Sequence, residues 1–125
     1  MNWISRTKRL SIYLRDRLCC AWCGQSDDES ALTLDQLWPA HRGGSNEATN
    51  VVTCCARCHS SRGDRSVPTF ATAVAAYLEH GVKASEILAH VEATARRALP
   101  LDEAKSLMDE MDLTAKQGSG IARAR

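Results

Sequence analysis

Two Cys-x-x-Cys pairs constrain this chain more than any other feature: Cys20-Ala21-Trp22-Cys23 and Cys55-Ala56-Arg57-Cys58. Two residues between thiols let one tight turn, or a helix start, aim both sulfurs at a single ion. Two such pairs therefore supply four thiolates for a tetrahedral Zn²⁺. The pairs lie farther apart than in a short zinc ribbon, so structure must be built between the two knuckles. Cys19 and Cys54 precede the pairs and are assigned as non-ligands, although their adjacency leaves open which thiol of each doublet binds. The competing reading is two pairs of free thiols buried as small hydrophobes.

The rest of the sequence surrounds these knuckles with a mixed α and β pattern. Ile4 to Arg17 carries Ile4, Leu10, Tyr13 and Leu14 in helical rhythm, with basic residues on the other face. Gly24 to Ser30 is polar and reads as a loop. Ala31 to Asp35 alternates and contains strand formers, and Val51-Val52-Thr53 reads as a second short strand. Between them, Pro39, Gly43-Gly44, Ser45-Asn46 and Asn50 form a dense group of turn residues. Cys55 to Arg62 reads as a helix closed by Gly63. From Ser66 the composition shifts. An apolar stripe of Phe70, Val74, Tyr77 and Leu78 follows Pro68, Lys83 to Leu99 is alanine-rich up to Pro100, and Asp102 caps a third segment through Met111. The expected organisation is a zinc domain over 1–65, a helical extension over 66–116, and a disordered tail over 117–125.

Charge and composition narrow the function classes. Net charge is only +1, which gives no strong overall field towards nucleic acid. Positive charge is nonetheless clustered, with Arg6, Lys8, Arg9, Arg15 and Arg17 before the first knuckle and Arg57, Arg62 and Arg65 around and beyond the second. A local basic face and an ordinary solvated helix surface both accommodate this pattern. No apolar run reaches membrane-spanning length, and the first residues lack a signal-peptide core. A cytoplasmic protein without membrane association is expected, and reduced thiols there argue against disulfides. Aromatics are scarce at 5%, and Trp22 and Trp38 are expected to pack around the small zinc core, since a domain this short has little else to bury.

Taken in order, Ile12 to Arg17, Cys20-x-x-Cys23-Gly24, Leu32-Thr33-Leu34-Asp35, Pro39, Arg42-Gly43-Gly44-Ser45-Asn46, Asn50-Val51-Val52-Thr53, Cys55-x-x-Cys58-His59 and Gly63-Asp64 resemble the HNH endonucleases over nearly half the chain. The resemblance implies an α+β fold, the ββα-metal domain. Two antiparallel strands are joined by a loop, a helix follows, and a four-cysteine zinc clamps the unit, here with an N-terminal helix and a C-terminal helical extension. It also implies that Asp35 and His59 hold a catalytic divalent ion such as Mg²⁺, and that Asn50 holds the loop and orients the base.

The family's strand ends in Asp-His, with the histidine as general base; here Gln36 follows Asp35. An imidazole accepts a proton near neutral pH because its unperturbed pKa is about 6.5. A glutamine amide can orient water but cannot take its proton. Losing a positioned base forfeits on the order of 100- to 10,000-fold in rate. His41, in the glycine-rich loop, is either a relocated base or an exposed loop residue. His80 and His90 are read as surface or helix-end residues. Arg42, Arg57, Arg62 and Arg65 are candidate contacts to DNA backbone phosphates, which position a duplex without reading its sequence.

Three functions remain in view. The first is a metal-dependent nuclease that cuts or nicks DNA, weakened or silenced by Gln36. The second is an inactive HNH zinc module that binds DNA or a protein partner, with the helical half offering a surface for a partner or for self-association. The third is a purely structural zinc protein.

Overall fold

The computed structural model describes residues 4–29, 31–78 and 81–121, with those from 114 onward described by backbone alone. In chain order the elements are α1 (Arg6–Arg15), β1 (Leu32–Gln36), β2 (Val51–Cys55), α2 (Ala56–Arg62), α3 (Val67–Leu78), α4 (Ala84–Arg96) and α5 (Leu101–Ile121), with 3₁₀ turns at Ala40–Arg42 and Ala48–Asn50. This is the expected α+β arrangement. β1 and β2 form an antiparallel ladder in which Leu32 faces Cys55, Leu34 faces Thr53, and Gln36 faces Val51. That register places the end of β1 beside the start of β2, so the glycine-rich loop closes over the strand end that carries Asp35 and Gln36.

Local chemistry accounts for the boundaries. The Ser5 hydroxyl caps α1 by accepting from the Lys8 N–H. Beyond Asp16, Arg17 and Leu18 both take positive φ, at 60° and 56°, which turns the chain sharply into the first knuckle. Cys55 caps α2 with its sulfur, and Gly63 at φ 50° ends that helix.

β2 is buried along its whole length instead of alternating. It is covered because the helical half packs onto the zinc half. Cys20, Trp22, Val52, Cys54 and Cys58 share one apolar cluster with Phe70 and Val74 of α3 and with Ile87, Val91 and Ala95 of α4. Trp22 meets Phe70 edge to face, at 4.9 Å between ring centroids. α5 lies along α1 and runs on through Gln117–Ile121, which the sequence reading assigned to the tail; residues 122–125 lie outside the described residues.

Arg15 requires a correction. The sequence groups it with a basic surface, but it is buried, and its guanidinium is held on every side. Nε donates to Asp16 at 2.6 Å, Nη1 to the Ala48 and Ala95 carbonyls at 2.8 and 3.2 Å, and Nη2 to the Val51 carbonyl at 2.6 Å. Asp16 in turn accepts from the Thr53 N–H at 2.8 Å. This pair joins α1, the 48–50 turn, β2 and α4. Trp38 is also corrected: it is 54% exposed and lies outside the core, whereas Trp22 is buried as expected. Among the described residues, no helix is long and apolar enough to cross a membrane.

Candidate functional site

The metal centre follows from the two knuckles. The sulfurs of Cys20, Cys23, Cys55 and Cys58 all lie within 4.8 Å of one another. A zinc ion about 2.3 Å from each thiolate puts tetrahedral sulfurs about 3.8 Å apart, and Cys23 and Cys55 stand 3.8 Å apart. The Cys58 N–H donates to the Cys55 sulfur at 3.4 Å, which fixes one ligand from within the turn. Crowding separates the thiols. Hydrogen bonds from Cys23, Cys54 and Cys58 hold Cys20 below the ordinary thiol value, while Cys58 and Cys54 are driven up, chiefly by Cys20. Four sulfurs this close suit a bound cation. Cys19 and Cys54 are not in the cluster; Cys19 Sγ bonds the Arg17 carbonyl and Cys54 Sγ the Cys55 carbonyl.

A cleft of about 440 Å³ opens between α1, β1, the loop and α2. Asp35, Gln36, His59 and Arg65 border it, together with Arg9 and Arg62. The structure thus brings Asp35 and His59 to one cavity from separate elements, His59 exposed on α2 and Asp35 nearly buried at the end of β1.

The Asp35 carboxylate already has partners. Its Oδ2 accepts from Trp22 Nε1 at 3.1 Å and from Arg62 Nη1. Arg62 is itself buried: Nη1 also donates to the Gln36 carbonyl and Nη2 to the Leu37 carbonyl, both at 2.7 Å, and Nε donates to the Arg65 carbonyl at 3.1 Å. The expectation that Arg62 is a surface phosphate contact is therefore corrected. Desolvating a guanidinium demands such partners, and with them it serves as a strut between β1 and α2.

Gln36 is committed to the loop at both ends of its amide. Its Oε1 accepts from the Ala40 N–H at 3.0 Å, and its Nε2 donates to Asn46 Oδ1 at 2.7 Å and to the Ser45 carbonyl at 3.4 Å. Asn50 bonds across the loop. It accepts from the Trp38 N–H and donates to the Trp38 and Ser45 carbonyls, at 2.9, 2.9 and 2.6 Å. Gly44 allows this closure, since a Cβ there would fall 1.5 Å from the Trp38 carbonyl oxygen.

The family model described as HNH endonuclease matches residues 20–74. This segment is similar to the HNH endonuclease family. The HNH match begins at the first zinc cysteine and ends within α3, so it includes Phe70 and Val74, which cover the zinc core. No curated protein matches the chain significantly.

The remaining predicted residues divide by position. His41 is exposed in the Ala40–Arg42 turn; Pro39 and Ala40 border the cleft but His41 does not. Arg42 is exposed in the same turn. Arg57 points away from the cleft, its guanidinium 4.4 Å above the Tyr77 ring of α3. Of the four predicted phosphate contacts, the exposed one bordering the cleft is Arg65. His90 is exposed on α4, and His80 lies outside the described residues. Sequence reading placed Arg9 in the basic cluster before the first knuckle but not at the site. Its signal was the i, i+4 spacing to Tyr13, whose hydroxyl accepts from Arg9 Nη1 at 3.3 Å.

The four-thiolate site fits zinc. The cleft fits a second divalent ion less well. Among the described residues lining it, the one carboxylate is Asp35, already charge-paired with Arg62, and Arg9 and Arg65 add like charge against a cation.

Proposed function

We propose that this protein acts on DNA as an HNH-family protein whose cleft seats a backbone phosphate, with phosphodiester hydrolysis there far slower than in a site that has a histidine base. The observation that carries this reading is the bonding of Gln36. The side chain at the base position lacks a proton-accepting group of useful basicity, and its amide is occupied in stapling the loop. Among the described residues bordering the cleft, the only imidazole is His59. Metal-binding HNH architecture, a closed loop and arginines at the cleft support engagement of DNA, while the missing base supports a rate lower by about 100- to 10,000-fold.

A second reading rests on Asp35 and His59 sharing one cleft. In the family these would hold a divalent ion that stabilises charge on the phosphate, and native protein would then nick DNA at a measurable rate.

Supercoiled-plasmid nicking with Mg²⁺ or Mn²⁺ distinguishes the two. The native protein is expected to be nearly inert and Gln36→His to nick. Nicking by native protein that Asp35→Ala and His59→Ala each abolish would establish the second reading. Loss with His41→Ala would place a relocated base in the loop. Failure of both native protein and Gln36→His to bind or nick DNA would overturn the nucleic-acid reading.

A further inference from the structure

The cleft beside Asp35 has an excess of positive charge. Among the described residues that line it, Asp35 is the sole carboxylate, and Arg62 neutralises it through a buried ion pair. Arg9 and Arg65 remain, beside the His59 imidazole. Both arginines are exposed, and both stand on buried anchors. Arg9 bonds the Tyr13 hydroxyl, which itself donates to the Leu32 carbonyl of β1 at 3.2 Å. Arg65 is tied by its backbone, its N–H donating to the Arg62 carbonyl at 2.9 Å and its carbonyl accepting from Arg62 Nε. Arg9 of α1 and Arg65, just beyond α2, thus border the same cavity.

We propose that this cleft is a phosphodiester site that works without a divalent ion. Arg62 supplies in place the positive charge that Asp35 would otherwise draw from a metal, and Arg9 and Arg65 take the phosphate oxygens. A guanidinium presents its N–H groups in a planar fork that matches phosphate geometry. Two arginines bordering one cleft suit an anion, whereas a dication placed there would meet their like charge and a carboxylate already paired. The buried Asp35–Arg62 pair gives the cleft a wall that no ion needs to organise. This rests on the proposal that the protein engages DNA, and it adds Arg9 of α1 and independence from divalent metal.

The test is fluorescence anisotropy with a short labelled DNA duplex. The protein carries its structural zinc, verified by metal analysis, in buffer freed of other divalent ions by a chelating resin. Binding is expected without added ion and no tighter when Mg²⁺ is added. Arg9→Gln and Arg65→Gln should each weaken it and lower the slope of log affinity against log salt by about one. Arg96→Gln, exposed on α4 away from the cleft, should leave it unchanged. Circular dichroism and zinc content check that each variant folds. Binding seen only with Mg²⁺ or Mn²⁺ overturns this inference and leaves the DNA reading standing. So does ion-free binding that ignores Arg9→Gln and Arg65→Gln, or that Arg96→Gln weakens equally. Absence of binding in every condition overturns both.

Discussion

The Arg62 guanidinium donates to Oδ2 of Asp35 and, from the same fork, to the backbone carbonyls of Gln36 and Leu37. One side chain on α2 thus holds the last residues of β1 and the first of the loop. Removing a partner from such a pair leaves an uncompensated buried charge, so Arg62→Leu should cost about 3–5 kcal/mol in urea unfolding of the zinc-loaded protein. Arg62→Leu combined with Asp35→Leu should cost less than the sum of the two single changes. Additive costs would show that the two groups do not act as a pair.

Gln36→Ala should loosen the loop. It removes the acceptor for the Ala40 N–H and the donor to Asn46 and Ser45. With each hydrogen bond contributing about 0.5–1.5 kcal/mol net, the Ala40 amide should exchange with solvent deuterium at least several-fold faster. Unchanged exchange there would mean that Asn50 alone keeps the loop closed.

Trp22 and Trp38 should behave oppositely. Trp22 is buried, packs on Phe70 and donates to Asp35, so Trp22→Ala should cost about 3–5 kcal/mol. Trp38 is half exposed and bonds only locally, to the Arg42 carbonyl, so Trp38→Ala should stay within about 1 kcal/mol. Tryptophan fluorescence should agree, with Trp22 the residue shielded from an aqueous quencher.

Zinc should be inseparable from folding. Thiolates must be deprotonated to bind, so protons compete with the metal and stability should fall as pH drops below neutral, with zinc released in the same step. Cys58→Ser should remove tight zinc binding. Cys19→Ser and Cys54→Ser should keep it, because neither sulfur belongs to the cluster. Cobalt substitution reads this directly, since a four-thiolate site gives a charge-transfer band that a three-thiolate site weakens.

What could be read in the residues was whatever depends on short spacing. The knuckle ligands, the strand pair and the loop asparagine are properties of contiguous runs in which the residue types and their intervals carry the geometry. Gln36 was legible as a departure because chemistry alone says an amide is no base. Its second occupation, as a loop staple, was not legible, because that required knowing that the loop folds back until Ala40 and Asn46 flank the amide.

The charged residues show the limit most clearly. Arg15, Arg62 and Arg65 look alike in the sequence, yet two are buried struts and one borders an open cleft. The difference lies in carbonyls and carboxylates brought from far along the chain, with Ala95 80 residues from Arg15 and Asp35 27 residues from Arg62. A guanidinium can leave water only where several acceptors converge on it, and convergence is a property of the folded chain. The sequence therefore determined a four-cysteine, HNH-like segment with Gln36 after Asp35. Only the tertiary structure decided which arginines hold the fold together and which stay exposed, because burial depends on partners that no local run contains.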